Sequence, residues 1–301
     1  MQKPAVALAA AVGRRKWTVE TAKQLEAAGF AGIYCASFGD GMGLCLSIAH
    51  ATSTIKFGTS IIPIYYRVPF DLAQSAAYIH EISDGRFYLG IGVSHEPANQ
   101  RIGAKTGKPL SDMRRYVEAM RAAAPQVGPL PPIVLATLRK KMVELAAEIA
   151  EGAVWANAAR SHMPDSLSHI PQERREGDFF IGDMIPMCID DEDPAAAANV
   201  MKRVLTGYVM LPNYRNYWKE AGYVEEMEAI EAALARGDRE ALPGLMSDRW
   251  LADCTLFGTR KQVFEGLEQW YAVGVKTPIV VPSSTKGGQV KAFEELFAAF
   301  A

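Results

Sequence analysis

Four short polar turns hold the side chains of this 301-residue chain that are best suited to chemistry. The first, Gly92-Val93-Ser94-His95-Glu96, closes an apolar run, Arg86 to Val93 (RFYLGIGV). Small residues there let backbone come close to a flat ring or a phosphate. Ser94 adds a hydroxyl for a cofactor, and His95 and Glu96 are placed to face bound substrate as acid–base groups. A histidine at a loop start is also a plain structural hydrogen-bond partner, so both roles stay open. The second turn, Ala136 to Lys141, carries Thr137, Arg139 and Lys140 into a helical pattern. A helix start presents free N–H groups and positive partial charge, which suits an anion; the same residues equally describe a solvated helix start. The third turn groups Asn157 with Arg160, Ser161 and His162, a polar set suited to phosphate or substrate. The fourth sets Asp40 between Gly39 and Gly41, as an acid or as an ordinary turn residue.

Other chemistries find less support. Cys35, Cys45, Cys188 and Cys254 form no CxxC pair, and no Cys/His group has zinc-ligand spacing, so no metal site is expected. Four unpaired thiols suit a reducing cytoplasm. Lys140 and Lys141 follow a strand rather than lying on one, which disfavours a Schiff-base aldolase or a phosphate-binding isomerase, the alternative enzyme class. There is no GxGxxG nucleotide fold. The formal charge is -2 with both signs interspersed, which gives no footprint for nucleic acid or an anionic membrane. No apolar run reaches the roughly 18 residues of a membrane span, and the first residues carry no signal-peptide pattern. A cytoplasmic protein acting on a small molecule is expected, with a homodimer as the default assembly.

These turns need elements to position them, and the chain supplies an alternation of short apolar strands and amphipathic helices. Strands are expected at Ala5–Ala10, Gly32–Ser37, Ile55–Ile64, Arg86–Val93, Pro132–Thr137, Ala153–Asn157, Phe179–Ile189 and around Pro278–Val281. Helical spacing falls between them, as in Trp17–Ala28, Phe70–Ile82 and Lys140–Ala150. Strands this apolar are buried on both faces, the habit of a parallel sheet covered by helices. Eight such units predict a (β/α)8 TIM barrel, one domain over 1–301, with its catalytic face at the strand C-termini where the four turns fall. Residues 190–276 break the rhythm with several helical patterns and a cluster of Tyr208, Tyr214, Tyr217, Trp218 and Tyr223. This is expected to be a helical insertion between strands 7 and 8 that lines the site, makes a dimer contact or packs on outer helices. Arg86, at the opposite strand end, is expected to pair with Glu81 or Asp84.

Residues 55–95 carry a more specific signal. Gly58-Thr59, Tyr65 to Pro69 (Y-x-R-x-P), Ala73-Gln74, Ser83 to Arg86 (S-x-GR) and Leu89 to Gly92 (LG-x-G) occur in one order and spacing. Together they closely resemble the luciferase-like family of flavin- and deazaflavin-dependent oxidoreductases. The resemblance implies FMN or coenzyme F420 as cofactor, and monooxygenation or hydride transfer as reaction. It also implies a separate reductase as partner where reduced flavin must be supplied. It places a non-prolyl cis peptide near Ser60–Ile61, behind the ring, and with the ring there Gly92, Ser94, Thr137, Arg139, Lys140 and Asn157 at the other strand ends are the candidate cofactor contacts. Two departures stand out. Arg139-Lys140 replaces a small, rigid turn, and the region after strand two has Asp40 where many relatives have a histidine. The second departure leaves a catalytically inactive flavin-binding barrel as a further alternative.

Overall fold

The computed structural model describes residues 2–37 and 39–301. Its strands are β1 (Ala5–Leu8), β2 (Gly32–Ala36), β3 (Phe57–Ser60), β4 (Ile62–Pro63), β5 (Phe87–Gly92), β6 (Ile133–Ala136), β7 (Gly152–Ala156), β8 (Phe180–Ile189), β9 (Leu256–Gly258) and β10 (Thr277–Ser283). Counting β3 and β4 as one broken strand and setting β9 aside leaves eight strand positions alternating with helices, the (β/α)8 order of a TIM barrel. The chain divides into two compact units.

The larger unit comprises residues 2–155 and 168–182. Its strands run parallel, with Ala5 opposite Gly32, Ile33 opposite Phe57, Phe57 opposite Phe87, Leu89 opposite Ile133 and Val134 opposite Gly152. Every residue of β1, β2 and β3 is buried, as expected for strands packed on both faces. Phe180 meets Tyr34 at 5.3 Å and Tyr88 at 5.8 Å between ring centroids, filling part of this unit's core. The expected single strand over 55–64 is instead two pieces, interrupted at a cis Ser60–Ile61 peptide.

Arg86 differs from the sequence reading. Instead of Glu81 or Asp84, its guanidinium takes carbonyl oxygens: Ala49 (3.0 Å), Thr52 (3.0 Å), Ile55 (3.2 Å) and Ser83 (2.9 Å), with the Thr52 hydroxyl at 2.9 Å. Ala49 and Thr52 belong to the end of helix Gly41–Ala51, where carbonyls lack intrahelical partners and a cation is favoured by the dipole. A sequence shows charged neighbours but not orphan carbonyls brought in from other elements.

The smaller unit comprises residues 156–167 and 183–301. Within it β8 pairs with β9, Met187 opposite Leu256, and with β10. The stretch 190–276 carries helices Pro194–Val209, Pro212–Glu220, Val224–Ala235, Asp248–Cys254 and Arg260–Ala272. It is not purely helical, because β9 lies inside it. Helix Gln289–Ala299 closes the chain.

Candidate active site

In the larger unit the candidate residues lie at strand C-termini. Ser60 ends β3, and the peptide after it is cis. β4 then pairs with the end of β5, Ile62 opposite Ile91 and Pro63 opposite Gly92. Two glycines leave no room for side chains here. A Cβ on Gly90 would sit 2.0 Å from the Thr59 carbonyl oxygen, and one on Gly92 would sit 2.8 Å from Ala136 Cβ and 2.9 Å from Ile61 Cδ1. The backbones of β3, β5 and β6 thus close tightly on one another around Ile61, and only glycine fits at positions 90 and 92.

Past Gly92 the chain turns through Ser94, whose φ of 59° is left-handed and uncommon outside glycine. Non-glycine residues in such conformations cluster at functional sites, where surrounding structure holds them. Asn99 supplies one such hold, its Nδ2 donating to Val93 O at 3.0 Å; nothing in the sequence marked this residue. His95 occupies the cap position of the short helix Glu96–Arg101 and is half-buried. Burial lowers its pKa from the usual 6.5, so the imidazole is neutral at pH 7. Glu96 is exposed and accepts from Gln100 Nε2 at 3.0 Å.

The remaining candidates in this unit are tied more closely to the scaffold. Thr137 is buried; its N–H donates to Val154 O at 2.8 Å and its hydroxyl approaches the same oxygen at 3.4 Å. Arg139 is the cap residue of helix Lys140–Ile149 but gives it no side-chain acceptor, and the first turn has no acidic residue. Lys140 lies 3.8 Å from Glu144. Cations at an uncapped helix start oppose the dipole, an arrangement that an arriving anion relieves. Asp40 is a helix cap: its Oδ1 accepts from Gly43 N–H at 2.9 Å. That geometry uses one carboxylate oxygen to cap helix Gly41–Ala51, as a turn residue does.

In the smaller unit Asn157, just past β7, is also left-handed, with φ 55°. It is 3% exposed, and its side-chain amide lies against the hydroxyls of Tyr208 and Tyr214. Arg160, Ser161 and His162 do not form an open phosphate cluster. Asp253 takes Ser161 N (3.0 Å) and Oγ (2.6 Å) and lies 3.8 Å from Arg160, while His162 lies 3.5 Å from Asp165. The aromatic set is likewise no open wall: Tyr217 and Trp218 are fully buried, and Trp218 stands edge-on to Trp250 at 4.8 Å.

The family model for luciferase-like monooxygenase matches residues 3–277. The chain belongs to the luciferase-like monooxygenase family. It is therefore an oxidoreductase. A 5,10-methylenetetrahydromethanopterin reductase of Archaeoglobus fulgidus is 27% identical over 269 residues, 78% of this chain and 79% of that protein. In three dimensions the chain is similar to the coenzyme F420 dependent tetrahydromethanopterin reductase of Methanopyrus kandleri, with TM-score 0.74 at 18% identity over 99% of this chain and 98% of that one. It is also similar to the oxygenating constituent of 3,6-diketocamphane monooxygenase from Pseudomonas putida in complex with FMN, with TM-score 0.63 at 14% identity over 100% and 96%. These likenesses establish the TIM-barrel fold.

Among the described residues of this luciferase-like chain no group of His, Cys, Asp and Glu is arranged to hold a metal, and no helix is long and apolar enough to cross a membrane. The Y-x-R-x-P motif turns out to be scaffold. Tyr65 donates to Asp112 Oδ2 at 2.7 Å, Arg67 binds Asp71 at 2.5 Å and Ser75 at 2.6 Å, and Tyr116 donates to the Arg67 carbonyl at 2.8 Å. The Tyr65 hydrogen bond is the main reason the Asp112 carboxyl lies below its usual range. Burial, then that bond, pushes Tyr65 up to about 12. Asp112, Asp183 and Asp253 escaped the sequence reading because an isolated aspartate in a helical or strand pattern gives no sign of its partners.

Proposed function

We propose that this chain binds coenzyme F420 at the strand C-termini and transfers a hydride between it and a small organic substrate. The carrying observation is the strand-end cluster of Gly90 and Gly92, which admit no side chain beside Thr59, Ile61 and Ala136, followed by the left-handed Ser94. The Methanopyrus kandleri reductase, described as coenzyme F420 dependent and the fold relative with the higher TM-score of the two, supports F420 as the first choice. When bound, a deazaflavin supplies a two-electron hydride carrier that does not activate oxygen in the manner of a flavin.

The chain's own residues then have these parts. Ser60 and Ile61 back the ring, Gly92 admits it, and Ser94 donates to a cofactor oxygen. Thr137 holds the β6 end in register, while Arg139, Lys140 and the uncapped helix start receive a phosphate. His95, neutral at pH 7, hydrogen-bonds substrate, and Glu96 orders the turn through Gln100. Since burial disfavours the imidazolium, the acidic limb of kcat/KM falls below the free-histidine value of about 6.5; the His95→Gln variant loses that limb. An unchanged limb in the variant counts against His95.

A second reading, FMN-dependent monooxygenation with a separate reductase supplying reduced flavin, is favoured by the family's own description and by the FMN-bound fold relative. Fluorescence titration of the purified protein with F420 and with FMN separates the two. Tighter F420 binding supports hydride transfer, tighter FMN binding supports oxygenation, and binding of neither overturns both. The homodimer is part of the proposal, and a monomer mass by sedimentation removes it.

A further inference from the structure

A second concave feature lies wholly within the larger unit. It is an open cleft of about 590 Å³ between the loop at Lys105–Gly107 and helix Pro109–Val127. Its wall is apolar, made by Ile64, Ala119 and the rings of Tyr65 and Tyr116. Both phenol hydroxyls are engaged, Tyr65 on Asp112 and Tyr116 on the Arg67 carbonyl, so the rings are what these residues offer a ligand. The rim is cationic, with Lys105 on the loop and Arg115 on the helix.

The one carboxylate in the lining is already committed. Asp112 is nearly buried and accepts from the Tyr65 hydroxyl at 2.7 Å, from Gly107 N–H at 2.8 Å and from Arg115. These bonds draw the loop onto the helix. A Cβ on Gly107 would sit 2.7 Å from Asp112 Oδ2, so glycine is required for that approach. Arg115 gives Asp112 one amino group and is otherwise exposed, which leaves further N–H donors of its planar fork. Lys105 has no partner among the described residues. Two cations against one satisfied carboxylate leave the cleft with a net positive charge beside an apolar wall. An apolar concavity with a few polar groups at one end is the usual form of a small-molecule site.

The rim is also tied to the turn after β5. Thr106 Oγ1 lies 3.4 Å from Glu96 Oε2, Ala104 N–H donates to the Asn99 carbonyl at 3.0 Å, and Asn99 Nδ2 donates to the Val93 carbonyl at 3.0 Å.

We infer that this cleft binds a small organic carboxylate, its head on Lys105 and Arg115 and its flat apolar body against Tyr65, Tyr116 and Ala119. None of the residues given to the cofactor lines the cleft, so the inference stands apart from the cofactor reading.

The test is calorimetric titration of the full chain with naphthalene-2-carboxylate, its neutral amide and acetate, with thermal midpoints as a folding control. The naphthoate saturates, and the amide and acetate bind at least about tenfold more weakly, since each lacks one half of the recognised chemistry. Lys105→Gln and Arg115→Gln each raise Kd about fivefold, the scale of one exposed ion pair. Ala119→Phe fills the cleft from an exposed helix position and abolishes binding. Lys16→Gln, an exposed cation on helix Arg15–Ala27 outside the lining, leaves Kd at the parent value. Hydrogen exchange with naphthoate present slows in residues 105–116. Equal binding of acid and amide, parental Kd in Ala119→Phe or in both charge variants, an equal loss in Lys16→Gln, or protection confined to other segments overturns the inference. So does failure of the parent to bind naphthoate; FMN and F420 titrations are unaffected by any of these outcomes.

Discussion

Two strand-end regions of this luciferase-like chain are built on opposite principles. Around β3, β4 and β5 the surface is made by leaving side chains out: two glycines, a cis peptide and a serine in a left-handed turn. Around the end of β7 the turn is made by putting side chains in, with Trp218, Tyr217 and Asp183 gripping successive residues. The first arrangement is specified by residues close together in sequence. The second recruits partners 25, 58 and 61 positions away. A backbone floor tolerates no added atoms; a side-chain brace tolerates no removed ones.

The largest effect is expected at the brace. Trp218→Ala empties a fully buried site and breaks the bond to Asn157, so stability falls by about 4 kcal/mol in urea unfolding. A loss under about 1 kcal/mol would mean that the aromatic layer is not a packed core. The second effect is a pH dependence. Burial pushes the Asp183 carboxyl up to about 7, against about 3.9 in an unfolded chain. Between those values the folded protein keeps a proton that the unfolded protein has released, so stability falls as pH rises, by up to about 4 kcal/mol across the window. Asp183→Asn flattens that slope. Asp112 and Asp190, held low chiefly by hydrogen bonds from Tyr65 and Thr285, have the opposite sign: their contribution is lost as pH drops below about 3.9. The windows do not overlap, so the difference between parent and variant isolates Asp183.

The floor responds to additions. Gly90→Ala forces a methyl against the Thr59 carbonyl and is expected to lose about 3 kcal/mol. Gly92→Ala meets the Ala136 Cβ, which moves only with its backbone, and the end of the Ile61 side chain, which can shift, so it costs less stability than Gly90→Ala while displacing Ile61 and weakening cofactor binding. Equal stability losses in the two variants would break the distinction between backbone and side-chain obstruction. The smallest effect belongs to Asp40→Ala, which removes a helix cap worth about 1 kcal/mol. A loss of turnover far beyond that destabilisation would restore Asp40 as a catalytic acid.

Much of this was legible in the residues. Apolar strands, helical spacing and the ordered motifs of 55–95 were enough for the barrel and its family, because local periodicity and turn chemistry are written in neighbouring positions. Even the site of the cis peptide followed from motif position. What the sequence by itself determined, then, was the class of fold and the family. Only the tertiary structure decided what each polar side chain is committed to. Arg86 took helix-end carbonyls instead of nearby acids, Ser161 and Arg160 were claimed by Asp253, and the aromatic cluster became a core. The physical reason is common to all three. Buried hydrogen-bonding groups must find partners wherever the fold places them, and a partner nearly a hundred residues away leaves no local trace.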